Sequence, residues 1–174
     1  MLHIIPTLEI MKTVTDKNIV GTAAQSRRQA FEKANDLKSM SNANLIIEGV
    51  IYDRIAPRLK EEHKKTFESF YTIDNTGKNT PDYNIISTIN FIAKREAKVD
   101  CVIILTENVS RHAVAGHKRI VAINPIDFIA KMVKFNKLYE SYLDYLKANP
   151  QAKIYKSQTL DGLIEEIFFV EELV

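Results

Sequence analysis

The chain has 174 residues, 45% of them hydrophobic and 26% charged, with only five glycines and five prolines, which excludes a disordered or collagen-like chain and supplies one domain with a proper core. The formal net charge of +2 excludes neither nucleic acid nor protein as a partner. A single cysteine, Cys101, excludes an internal disulfide and reads as an inert core thiol.

Residues 2–10 have strand-like composition interrupted by Pro6, which argues for an edge position or a lead-in. Residues 13–20 read as a strand through their Thr and Val, with Asp16 and Asn18 standing at its end. A helix follows over residues 22–38, with Ala24, Ala30, Phe31, Ala34 and Leu37 on one apolar side and Arg27 and Arg28 towards water. Residues 39–44 form a loop. Residues 45–51 are the second apolar stretch, a strand running into a helix near Tyr52, with Pro57 in a first turn or at a break. From 58 to 70, charges of both signs recur at helical spacing, as on a solvated helix. Asp74, Asn75, Gly77 and Asn79 mark a loop over residues 72–79.

The stretch that organises the rest begins at Thr80, an N-cap, with Pro81 at the first helical position and Asp82 in the first turn. Ile85, Ile86, Ile89, Ile92 and Ala93 give that helix a face to pack on a sheet. Residues 101–105, Cys-Val-Ile-Ile-Leu, then form a strand covered on both faces, which delivers Thr106, Glu107 and Asn108 to the carboxyl edge of the sheet. Residues 109–118 are a short helix or loop, and residues 119–123 the last core strand, stopped by Asn124-Pro125. Residues 126–148 are helical, with apolar positions at Ile126, Ile129, Ala130, Val133, Leu138, Tyr142 and Leu146. The alternation of strand and helix implies a three-layer α/β/α domain over residues 1–148 with a mostly parallel sheet. Residues 149–174 form a carboxy-terminal extension. It carries a short strand at Ile154-Tyr155 and an amphipathic acidic helix that packs on the domain or binds a partner.

There is no signal peptide pattern and no apolar run of membrane-spanning length, so the expectation is a cytoplasmic protein with no membrane contact. No Gly-rich phosphate loop, metal-ligand Cys/His spacing or nucleophile elbow is present, and His3, His63, His112 and His117 read as surface residues. What remains is a set of acids at expected strand ends and helix starts: Asp16, Asp53, Asp82 and Glu107, with Asn18 and Asn108 beside them. Converging hard oxygen ligands suit Mg²⁺ or Mn²⁺, which activate water for phosphodiester cleavage.

The segment Asp16-Lys17-Asn18-Ile19-Val20 resembles the strand-end motif that opens PIN domains, and Asp82-Tyr83-Asn84-Ile85 resembles their central helix start. Residues 102–108 are similar to the PIN strand that ends in Thr-x-Asp, and residues 120–128 to the closing strand, proline and helix. The resemblance implies a metal-dependent endoribonuclease acting on single-stranded or structured RNA, with Mg²⁺ or Mn²⁺ as cofactor. By position it implies metal ligands at Asp16, Asp53 and Asp82, with Glu107 or Asn108 completing the set. Glu48 is the alternative second ligand, and Glu9 competes with Asp16 for the first. Thr106 would orient an acid or a metal-bound water, beside Asn18 in the substrate site. Lys17, Arg54, Arg111, Lys118 and Arg119 are candidates for phosphate contacts. This chain departs from the pattern at the last position, where Asn108 stands for the usual Asp. The departure keeps open a non-catalytic binding or regulatory protein on the same fold, holding a protein or nucleic-acid partner or a second copy of itself. A third reading is an unrelated α/β domain with a small ligand at the strand ends.

Overall fold

The computed structural model describes residues 1–75, 94, 100–114, 118–151 and 160–170. Five parallel strands form one sheet in the order β3-β2-β1-β4-β5. They are β1 (Leu2–Pro6), β2 (Asn44–Glu48), β3 (Thr72–Asp74), β4 (Cys101–Leu105) and β5 (Ile120–Ile123). Every residue of β1 and β4 is buried. Successive side chains point to opposite faces, so both faces of these strands are covered. The result is the expected three-layer α/β/α domain, with a wholly parallel sheet. Within it Cys101 is buried, and that burial pushes its thiol pKa up.

Pro6 lies in a central strand, not at an edge or in a lead-in. β1 pairs with β4 along its whole length, from Leu2 opposite Cys101 to Pro6 opposite Leu105, but with β2 only through His3 and Ile4. Thr7 donates its N–H to the Leu105 carbonyl at 3.0 Å. The nitrogen of Pro6 therefore points the other way, towards β2, beyond the last paired residue, where no donor is needed.

No strand forms over residues 13–20: a helix, α1 (Leu8–Thr15), begins directly after β1 and takes in Thr13-Val14-Thr15, and a turn follows it. Its β-branched threonines are accommodated by their hydroxyls. Thr13 donates to the Glu9 carbonyl at 2.9 Å and Thr15 to that of Met11 at 2.7 Å, in the pattern that lets threonine sit in a helix. Next, α2 (Thr22–Ser41) buries Ala24, Ala30, Phe31, Ala34 and Leu37 as expected. It runs on through part of the expected loop and stops at Asn42, whose φ of 55° ends the helical path.

Between β2 and β3 lie α3 (Gly49–Ile55), a 3₁₀ turn containing Pro57 (Ala56–Arg58), and the charged helix α4 (Glu61–Phe70). Phe67 anchors α4, stacked on Tyr52 at 5.8 Å and tilted against Tyr71 at 4.5 Å. β3 occupies residues read as loop; at three residues it is too short to show a period, and its pairing with Ile46–Glu48 defines it. The helix expected from Thr80, with Asp82, lies outside the described residues, as does the strand at Ile154-Tyr155.

After β4 come the short helix α5 (Val109–His112) and, beyond β5, the long helix α6 (Pro125–Ala148). Asn124 caps α6 by accepting the Asp127 N–H at 2.8 Å, with Pro125 at its first position. Of the apolar positions expected on this helix, Ile129 packs against the core, whereas Ile126, Ala130, Val133 and Leu138 are exposed. The buried stripe is Phe128, Met132 and Phe135, while Ile126 and Val133 are 68% and 48% exposed. Aromatic and Met side chains make up the buried stripe, and the β-branched Ile126 and Val133 fall on the outer side. The carboxy-terminal helix α7 (Leu160–Ile164) continues as one π-helical turn, Glu165–Phe169. Leu163, Ile164, Ile167 and Phe168 join the core, with Phe168 5.6 Å from the Phe128 ring. No helix among the described residues is long and apolar enough to cross a membrane.

Candidate functional site

The strand order reverses between β1 and β4, and open α/β sheets bind ligands in the crevice outside the carboxyl ends of such strands. Here β1 ends in Pro6-Thr7 and β4 runs into Thr106-Glu107-Asn108. Thr7 is buried and donates its hydroxyl to the Leu105 carbonyl at 3.2 Å. Thr106 is buried too. Its N–H donates to the Ile123 carbonyl, and its hydroxyl oxygen accepts the Asn108 N–H at 3.1 Å and lies 2.8 Å from His112 Nδ1. The Asn108 amide oxygen accepts the Arg111 N–H at 3.2 Å, which caps α5, and also the Ser110 hydroxyl. The tip of β4 is thus a turn closed by its own polar groups.

Glu107 is held by a cation. Its Oε1 accepts from Arg27 Nε at 2.7 Å, and Arg27 Nη1 donates to the Thr13 hydroxyl at 3.0 Å. One guanidinium therefore joins α2, α1 and the β4 tip in charge-assisted geometry. Arg28 Nη2 donates to the carbonyls of Thr13, Asp16 and Ile19, closing the carboxyl end of α1. Both arginines were expected towards water and instead fasten α2 to α1, Arg27 also to the β4 tip.

The other expected site residues are spread out. Asp16 caps the carboxyl end of α1 and not a strand; eight helical residues, about 12 Å, separate it from the end of β1. Its Oδ1 accepts the Asn18 N–H at 3.0 Å, and its Oδ2 lies 3.5 Å from Arg58 Nη1, with Lys17 and Asn18 exposed beside it. Asp53 and Arg54 are exposed on α3. The alternative Glu48 is fully buried at the end of β2 and caps α3 by accepting the Val50 N–H at 3.1 Å. Gly49 follows it because a Cβ there would run into the Asn75 side chain and stand 3.1 Å from the Asp74 carbonyl oxygen. Glu9 is exposed in the first turn of α1, 3.9 Å from Lys12.

Lys118 and Arg119 precede β5, and Arg119 Nε donates to the Asp100 carbonyl at the start of β4. In parallel strands this is the amino edge, so they cannot share a ligand with Glu107 at the carboxyl edge. Arg111 remains exposed beside the β4 tip. Two of the four histidines are not surface residues: His112 is buried against Thr106, and His3 is buried with Nε2 2.9 Å from Asp100 Oδ2. Asp82 lies outside the described residues. Among the described residues no three His, Cys, Asp or Glu side chains converge as a metal site would require, so these residues do not by themselves fit Mg²⁺ or Mn²⁺. No family model matches the chain, and neither a curated protein nor a solved structure matches it.

Proposed function

We propose that this chain is a non-catalytic binding or regulatory protein that holds a macromolecular partner at the carboxyl edge of β1 and β4. The observation that carries this reading is the chemistry of the two strand ends. β1 finishes on Pro6-Thr7, with no acid, and the acid after β4, Glu107, is neutralised at 2.7 Å by Arg27. A nuclease centre needs several carboxylates left available for divalent ions. Here Asp16 is tied to Asn18 and Arg58, one carboxylate oxygen of Glu48 caps α3, and the Asn108 amide caps α5. A binding surface needs none of that charge. Glu107, Asn108, Ser110 and Arg111 are exposed beside the carboxyl end of β4, where a partner would meet them.

The second reading is the metal-dependent endoribonuclease, with Asp16, Asp53, Asp82 and Glu107 or Asn108 holding Mg²⁺ or Mn²⁺. What favours it is that Thr106-Glu107-Asn108 stands at the carboxyl end of a central parallel strand, where the PIN resemblance puts acids. Calorimetry with Mn²⁺ on the wild type and Asp82→Ala, beside an assay of single-stranded RNA cleavage, separates the two. The binding reading expects no Mn²⁺ heat and no cleavage. Metal binding and cleavage that both disappear in Asp82→Ala would overturn it in favour of the nuclease.

A further inference from the structure

We draw no further inference here: the strongest candidate, the surface patch of Tyr139, Tyr142 and Leu146 on the carboxyl-terminal turns of α6, is an apolar helix face with nothing among the described residues to show what covers it.

Discussion

Asp100 stands where the amino ends of β1 and β4 meet. Its Oδ1 accepts from the Met1 amino group at 2.8 Å, and its Oδ2 lies 2.9 Å from His3 Nε2. These hydrogen bonds, the amino group's first and His3's second, hold its carboxyl below the ordinary carboxylate range against a smaller opposing effect of burial. A carboxyl depressed in the folded state stabilises at pH values above its unfolded value, about 3.9, and loses that contribution as pH falls through the lower folded value. The wild-type melting temperature is therefore expected to drop across this acid window. Asp100→Asn should melt lower at neutral pH and change less between neutral and acid. Melts of both proteins at pH 7 and at acid pH check this, and parallel curves would refute it.

Among the elements, α1 depends most on a side chain from elsewhere. Arg28 closes its carboxyl end from a single nitrogen, Nη2, that lies within hydrogen-bond reach of three carbonyls. Arg28→Ala is expected to cost about 1–3 kcal/mol in urea unfolding and to speed amide exchange at Asp16 and Ile19 above the global rate. Arg28→Lys, whose ammonium carries three donors on one nitrogen, should recover part of the loss. The sequence held a sign of these roles. Arg27 falls three after Ala24 and four before Phe31, inside the apolar stripe of α2, so its helical spacing placed it on the inner side. Long apolar runs and cap signals were equally legible, as β4 and the start of α6 show. Thr13-Val14-Thr15 misled because β-branched composition does not reveal a hydroxyl that bonds back to its own helix. With that strand lost, Asp16 lost its place at a strand end. Lys118 and Arg119 misled for a different reason: which edge of the sheet a residue occupies depends on strand direction, which only the assembled topology fixes.

For the molecule as a whole, strand order separates early contacts from late ones. β1 and β2 pair across some 40 residues of chain (Ile4 with Leu45), whereas β1 and β4 pair across nearly 100 (Ile4 with Ile103). Closing the longer loop costs more entropy before any contact repays it, so β1–β2 pairing belongs to the folding nucleus and β4 joins after it. Ile47→Val is thus expected to slow refolding, while Ile104→Val mainly accelerates unfolding, each at an equilibrium cost of about 0.5–1.5 kcal/mol. Stopped-flow chevrons of the two variants decide it, and the reverse partition would place β4 in the nucleus.

The same order has a consequence during synthesis. The strand at the centre of the sheet is the first to leave the ribosome, yet its β4 flank stays open until residue 105 has followed. At translation rates of about 5–20 residues per second, that apolar flank waits roughly five to twenty seconds for its neighbour. An uncovered strand of Leu-His-Ile-Ile is a template for any passing chain, so the nascent protein spends that interval exposed to misassembly and within reach of a chaperone.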